Sequence, residues 1–446
     1  MPPEQTNKTL AEEWLSKLFD NGIFTEFQAL AEERKELAAV ITAQGNINGR
    51  TVYAFSQDCS RLHGAFGLAQ AAKLHHLYTL AIQTGCPIIG IYDSFGSIID
   101  GSAAPLVAYS TLIKIHAQAS GVIPRISIIA GKCTGSIAAL ACSSDFVVLS
   151  KNATLSSTPN QIISASNARE TGLSTIDSEN EFEALEWVRN CLKYIPNNNL
   201  SIPPLQQYII PSEKSENIDS DKILNVNDAI SIFADKNSLI KLYISPKQKD
   251  VFSAFCTVSG KTTGIVSLCA KHMIAKEYCS LIKFLRFCDA FSISIILLTD
   301  TGEIIGDSTG EIMTSAVKFS CCCAELTTPF ISLILNKAIG ISCTSAFCAD
   351  MTFACENSVL APLAPETAVE FLWHDKLKNA ENLQIARKEL IEEYSSTLGS
   401  AKRAAAMGCV DGIVTSKTLR KQIDSAIQMF SSKRISTLPK KHGGML

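Results

Sequence analysis

Apolar and polar positions along this chain form one pattern that runs through and then begins again. Residues 9–24 place Leu10, Trp14, Leu15, Leu18 and Phe19 at helical spacing, with Gly22 near the end, which predicts an amphipathic helix. Two apolar runs, 37–42 and 51–56, flank Gly45, Asn46, Asn48 and Gly49 and predict a hairpin. A loop over 57–67 leads into a helix that ends near Thr84, followed by a buried strand at 87–92 and a helix over 103–119. The next stretch, 120–136, holds a second buried strand that runs into a turn at Gly135, from which a short helix over 137–142 begins. A strand over 145–150 closes this first run.

The second half repeats the order: a hairpin around Gly260, a helix over 275–290, a strand over 293–298, an irregular loop over 301–310, then helix, strand and a turn at Gly340. Ile47-Asn-Gly-Arg-Thr answers Val258-Ser-Gly-Lys-Thr, Asp93 answers Asp300, Lys132 answers Lys337, and Gly135 answers Gly340. Matched positions lie roughly 205 to 211 residues apart, far beyond a solenoid repeat, so the pattern predicts a duplicated domain. Residues 194–221, with Pro196, Pro203, Pro204 and Pro211, read as a linker, ordered strap or mobile, which divides the chain into domains 1–221 and 222–446. A charged helical stretch over 371–394, then a helix leading into a final strand within 401–413, complete the expected elements.

Composition narrows the reading. A chain of 446 residues with 46% hydrophobic content can bury two cores, and a formal charge of -3 gives no reason to expect nucleic acid as a partner. The sixteen cysteines include no CxxC pair and no secretory leader precedes them, so they read as reduced core residues of a cytoplasmic protein. No apolar run approaches the roughly 18 residues of a membrane span. His63, His75 and His76 have no acidic or cysteine partner at ligand spacing, so no metal site is expected.

The candidate chemistry is therefore backbone chemistry. A strand that ends in a glycine turn and starts a helix aims free N–H groups at one point, where they hold an oxyanion. Two such turns predict two oxyanions. Asp93, at the carboxyl end of its strand, either caps that loop or contributes chemistry. Lys73, Lys114, Arg125 and Lys132 lie near the first turn as cations for phosphate, or as ordinary solvated positions.

At this level of detail the chain resembles the carboxyltransferase subunits of biotin-dependent acyl-CoA carboxylases and the related acyl-CoA decarboxylases. Ala119-Ser-Gly-Val-Ile-Pro-Arg-Ile-Ser, Phe55-Ser-Gln-Asp58, Phe287-Cys-Asp-Ala-Phe291 and Met407-Gly-Cys-Val-Asp-Gly-Ile-Val414 are similar to family signatures, in order, and the resemblance runs from about Leu10 to Ile427. It implies an α/β fold of two tandem crotonase-like spiral domains, the first on the acyl-CoA side and the second on the biotin side, with a site shared between copies. It implies carboxyl transfer between carboxybiotin and an acyl-CoA. Gly135 and Ser136 would face the thioester, and Gly340, Ile341 and Ser342 would face biotin. Gly64, Gly67, Lys73, Asp93, Ser94, Gly96 and Lys132 would line the acyl-CoA side, and Asp300, Gly302, Lys337 and Thr344 the biotin side. Implied partners are a biotin carboxyl carrier protein with a biotin carboxylase or a membrane decarboxylase pump, and further copies of the chain, from dimer to hexamer.

The chain also departs from the family pattern. The first turn reads Gly135-Ser136-Ile137 where paired glycines are usual, and the second reads Ile339-Gly-Ile-Ser-Cys343 where Tyr-Gly-Gly-Ala-Tyr is usual. A β-branched residue tolerates positive φ poorly, so Ile341 is expected to be the point of strain. Two other readings therefore stand beside an active carboxyltransferase: a catalytically silent homologue that scaffolds or binds acyl-CoA, and a crotonase-type hydratase or isomerase.

Overall fold

A computed structural model describes residues 8–99, 102–158, 161–211, 224–271, 273–303, 309–433 and 435. The chain divides into two compact units, Met1–Pro204 and Leu205–Leu446. The boundary at 221/222 expected from the sequence lies within 212–223, outside the described residues.

The first unit is built on β1 (Phe24–Phe27), β2 (Val40–Ile47), β3 (Arg50–Gln57), β4 (Ile88–Ser94), β5 (Arg125–Thr134), β6 (Phe146–Ser150), β7 (Thr154–Ser156) and β8 (Ile176–Ser178). Their order in the sheet is β1-β2-β3-β4-β5-β6-β8, with β7 beside β5. The second unit uses β9 (Ile240–Ile244), β10 (Val251–Val258), β11 (Lys261–Ala270), β12 (Ser294–Thr301), β13 (Phe330–Ile339), β14 (Met351–Cys355), β15 (Val359–Ala361) and β16 (Gly412–Val414). Its order, β9-β10-β11-β12-β13-β14-β16 with β15 beside β13, repeats the first. In each unit an antiparallel hairpin, β2/β3 or β10/β11, feeds a parallel ladder whose crossovers are helices.

Burial explains why these runs become strands. Ile126, Ile128 and Ile129 of β5 are fully buried, as are Ile331, Leu333 and Ile334 of β13. Burying each such side chain stabilises the fold by about 1.5–3 kcal/mol. The covering helices Leu68–Thr84 and Ala104–Ala119 contribute Leu74, Leu77, Leu112 and Ile115 to the first core. The cysteines are free thiols, most of them buried.

Several expected boundaries shift for local reasons. The helix expected over 9–24 is Leu10–Leu18, started by a capping box between Thr9 and Glu12. It stops before a 3-10 turn, Asp20–Gly22, in which Asn21 has φ 56°. The β2/β3 turn is only Asn48 and Gly49, at φ 52° and 73°, a pair of left-handed residues suited to a tight hairpin. Gly45 pairs with Val52 inside the ladder, where a Cβ would lie 2.6 Å from the Phe19 ring. The stretch expected to be helical over 371–394 is broken into Pro365–Leu372, His374–Lys378 and Leu383–Ser396, with Asn382 capping the last. The strap 194–211 is held at both of its ends by backbone bonds: Asn199 N–H donates to Val122 within the first unit, and Gln206 N–H to Gly260 within the second.

One polar clamp occurs in each unit. The Asp20 carboxylate accepts the Gly49 N–H of the hairpin turn at 2.9 Å and pairs with Arg189 at 2.7 Å, while Arg189 also donates to the Leu18 carbonyl. In the second unit Asp235 accepts the Gly260 N–H at 2.8 Å and pairs with Arg420 at 2.7 Å, and Arg420 donates to the Phe233 carbonyl at 2.8 Å.

Candidate active site

The carboxyl end of β5 builds the first turn. Tyr92 stands opposite Ile129 and Ser94 opposite Cys133, so Ala130, Gly131 and Lys132 face Asp93 alone. Three residues against one is a special, enlarged bulge, and it leaves backbone donors off the ladder. Asp93 Oδ1 accepts the Lys132 N–H at 3.1 Å. A Cβ at 131 would lie 2.2 Å from the same oxygen, so any side chain there has to displace the carboxylate. Past the bulge β5 changes neighbour: Ile126–Ile129 pair with β6, whereas Lys132, Cys133 and Thr134 pair with β7.

Gly135 follows at φ 75°, ψ -141°, close to a region that only glycine occupies without strain. Its own N–H donates to the Ser156 carbonyl at 2.7 Å, and its carbonyl accepts the Ala138 N–H at 3.1 Å. The Gly135 N–H is occupied, so the first N–H groups at the mouth of the helix Ser136–Cys142 are those of Ser136 and Ile137. Gly135 supplies the conformation, with open space in front of its Cα.

The second unit repeats this geometry at β13. Thr299 stands opposite Ile334 and Thr301 opposite Ala338, so Leu335, Asn336 and Lys337 face Asp300 alone. Asp300 Oδ1 accepts the Lys337 N–H at 3.1 Å, and its Oδ2 accepts the Asn336 side-chain amide at 2.7 Å. Beyond the bulge β13 leaves β14 and pairs with β15, and Gly340 follows at φ 68°. Gly340 opens a 3-10 helix, Gly340–Cys348, which contains Ile341, Ser342 and Thr344. The positive φ thus falls on Gly340. Ile341 is not among the left-handed residues, which removes the expected strain.

Several other predicted residues are engaged within the fold. Lys73 is 2% exposed, with its Nζ donating to the Val40 carbonyl at 2.8 Å and 3.5 Å from Glu26, so it is not placed to meet a CoA phosphate. Arg125 is buried against Asp145, Ser120 and the His116 carbonyl. Gly67 heads the helix Leu68–Thr84, whose N-terminus is already filled by Glu33 Oε2 accepting the Ala69 N–H at 2.6 Å. Gly64 backs onto the Asp93 carbonyl, where a Cβ would approach to 2.2 Å, and the buried Ser94 hydroxyl accepts the Gly96 N–H at 3.1 Å. Lys132 and Lys114 are the exposed cations of the group. The Lys132 ammonium sits 4.3 Å from the centroid of the half-exposed Phe95 ring. His63 also packs edge-on to Phe95, at 5.8 Å.

Around Asp93 the electrostatics follow burial. Burial pushes its carboxyl above the usual range, against the Lys132 N–H, the Cys59 thiol and the Lys132 charge, which pull it down. Burial, then the Asp93 and Asp58 carboxylates, push the Cys59 thiol up to about 11, so it is protonated at neutral pH.

In the second unit a pocket of about 740 Å³ brings together Asp300, Gly302 and Lys337, with Asn336, Lys271 and Cys269, at the carboxyl ends of β11, β12 and β13. Its size falls within the roughly 300–1,000 Å³ typical of small-molecule sites. Thr344 sits elsewhere on the 3-10 helix, with its hydroxyl on the Ile341 carbonyl at 2.9 Å and 2.8 Å from the Ser320 hydroxyl. Gly131, Asn336 and Glu33 were not singled out by the sequence. Aligning Asp93 with Asp300 and Lys132 with Lys337 would have pointed to the first two, but spacing alone does not reveal a three-residue bulge.

Among the described residues no group of three or more His, Cys, Asp or Glu side chains is placed to hold a metal ion. No helix among them is long and apolar enough to cross a membrane.

Known proteins agree with this architecture. The carboxyl transferase domain family matches residues 2–445. The methylmalonyl-CoA decarboxylase subunit alpha of Veillonella parvula is 29% identical across 98% of this chain and 93% of its own length. The methylmalonyl-CoA carboxyltransferase 12S subunit of Propionibacterium freudenreichii subsp. shermanii is 28% identical across 98% and 91%. The crystal structure of transcarboxylase 12S, described as a hexamer assembly with methylmalonyl-coenzyme A and methylmalonic acid bound, superposes with a TM-score of 0.87 at 27% identity, covering 97% of this chain and 91% of that one. The fold is two tandem crotonase-like α/β domains, as the sequence implied. With a match that runs from one end of the sequence to the other, the chain belongs to the carboxyl transferase domain family.

Proposed function

We propose that this chain is the carboxyltransferase component of a biotin-dependent system, moving a carboxyl group between carboxybiotin on a partner protein and the α-carbon of a short acyl-CoA of the methylmalonyl/propionyl class. The acyl class is supported by the names of the relatives. One observation carries the assignment to this chain's own residues: both units end their central strand in the same Asp-held bulge, three residues before a positive-φ glycine that opens a helical turn.

Carboxybiotin, when bound, supplies the carboxyl group and, once that is released as CO2, the base for the α-proton. The chain's task is then to hold two oxygens that become negative. At the first turn the Ser136 and Ile137 N–H groups take the thioester oxygen. At the second, the Gly340–Ser342 backbone takes the ureido oxygen, and the pocket that Gly302 and Lys337 help to line is the room for the biotin ring. The pocket's volume and its mixture of amide and ammonium donors fit a small polar bicycle such as the biotin ring. Each oxyanion donor lowers the barrier by about 2.7–4 kcal/mol, which suits a site whose groups are backbone amides. Lys132 is the cation best placed for a CoA phosphate.

The partners in this reading are a biotinylated carrier, the carboxylase or membrane pump that serves it, and further copies of the chain. The scaffold reading rested on the glycines missing from both turns; at the second turn the positive φ falls on Gly340 and Ile341 carries none, so the backbone there does not need the missing glycine. The test is carboxyl transfer by the purified chain with methylmalonyl-CoA and free biotin, followed by mass spectrometry of the CoA products. Biotin-dependent conversion to propionyl-CoA is expected. Tight CoA-ester binding without conversion, even with a biotinylated carrier present, would overturn the proposal in favour of a silent homologue.

A further inference from the structure

The two bulges are more alike than their sequences. In one the middle residue is Gly131, packed against the Asp93 carboxylate, and in the other it is Asn336, whose amide donates to Asp300. Three features persist through that change. One aspartate faces three residues, its Oδ1 accepts the N–H of the third at 3.1 Å, and the glycine turn begins three residues later. The bulge is also the point at which each strand exchanges one neighbour for another, β6 for β7 and β14 for β15, so it sets the direction of the segment that carries the glycine. An ionised carboxylate on a backbone N–H is a stronger tie than a neutral pair. Displacing reacting groups by about 1 Å costs on the order of a hundredfold in rate, so such a bend has leverage on chemistry.

We propose that Asp93 and Asp300 are positioning residues, each holding open the bulge that aims one of the two oxyanion turns, rather than contacts for acyl-CoA or biotin. The kinetic part rests on the carboxyltransferase reading above; the structural part does not. The test uses the full-length assembled protein and the variants Asp93→Ala, Asp93→Asn, Asp300→Ala and Asp300→Asn. Three readouts are taken: kcat and KM for methylmalonyl-CoA decarboxylation with free biotin, the affinity for propionyl-CoA, and amide exchange across 130–136 and 335–341.

Asp93→Ala is expected to lower kcat about ten- to a hundredfold, with the KM for free biotin unmoved and exchange faster across 130–136 only. Asp93→Asn keeps an oxygen acceptor for the Lys132 N–H and restores most of the rate and the slow exchange. Asp300→Ala should speed exchange across 335–341 only and lower kcat with propionyl-CoA affinity unmoved, with Asp300→Asn again restoring both. Should Asp93→Ala fail to fold, Gly131→Ala displaces the carboxylate while leaving it present and is expected to give the same exchange signature. Asn variants as impaired as Ala variants, or exchange unchanged in the Ala variants, would overturn the proposal. If the unaltered protein transfers no carboxyl group, the functional reading fails by itself, and the exchange pattern still decides the positioning role.

Discussion

In the first unit the clamp on the hairpin turn is half open to water, with Asp20 and Arg189 side chains 26% and 27% exposed. In the second unit the same clamp is closed, with Asp235 at 1% and Arg420 at 19%. Partners and distances match, and even the helix-end carbonyl held by each arginine corresponds. What duplication preserved is the direction of hydrogen bonds onto the backbone; what diverged is how much surrounding side chain covers them. Identical geometry therefore does not mean equal energy. An exposed pair contributes about 0–1 kcal/mol, whereas breaking a buried one strands a charge and costs about 3–5 kcal/mol.

That contrast sets the largest expected effect. Arg420→Ala should lower stability in urea unfolding by about 3–5 kcal/mol and Arg189→Ala by about 1 kcal/mol or less. Equal losses would break the comparison.

Next come the glycine turns. Gly135→Val and Gly340→Val each place a branched side chain at positive φ, at 75° and 68°, where the space beside the glycine is open or nearly so. Conformation and approach are affected there, and not core packing. Each should reduce carboxyl transfer by about a hundredfold or more, while costing only the roughly 1–3 kcal/mol of stability that backbone strain implies. The first should weaken CoA-ester binding in calorimetry and the second should leave it intact. Loss of CoA-ester affinity in both would contradict the division of labour between the turns.

A pH series sharpens the clamp comparison. Burial raises the Asp20 carboxyl, but the Gly49 N–H and the Arg189 guanidinium outweigh it and leave the group below its usual range. A depressed carboxyl contributes stability that is present above the unfolded value, near pH 4, and lost as pH falls through the lower folded value. The stability difference between Arg189→Ala and the unaltered chain should therefore shrink below about pH 4. A difference that stayed constant down to pH 2 would show that Arg189 acts through packing alone.

The smallest effect concerns the cations. Lys132→Ala should raise the KM for a CoA ester by roughly threefold, the scale of one exposed ion contact. Lys73→Ala should lower stability and leave that KM unchanged, because the Lys73 ammonium is held by the Val40 carbonyl and Glu26.

The sequence alone carried the duplication, the order of strands and crossovers, and the two glycine turns, because these depend on apolar period and on backbone conformations that few residues adopt. Helices such as Leu68–Thr84 and Ala275–Ala290 were legible almost to their ends for the same reason. The resemblance across the chain carried the chemistry. Side-chain roles set by distant contacts were not legible. Nothing local to Lys73, Gly67 or Asp93 reveals that Val40, Glu33 and Lys132 occupy the groups those residues offer. The Gly135 N–H is taken by Ser156, twenty-one positions on, across a strand pairing that exists only after β5 bends. Ile341 looked like the strained position by composition, yet the turn places its positive φ one residue earlier. Local propensity is encoded within a few residues, so the pattern displays it. Which donor is free and which is occupied depends on where strands from far along the chain meet, and only the folded structure settles that.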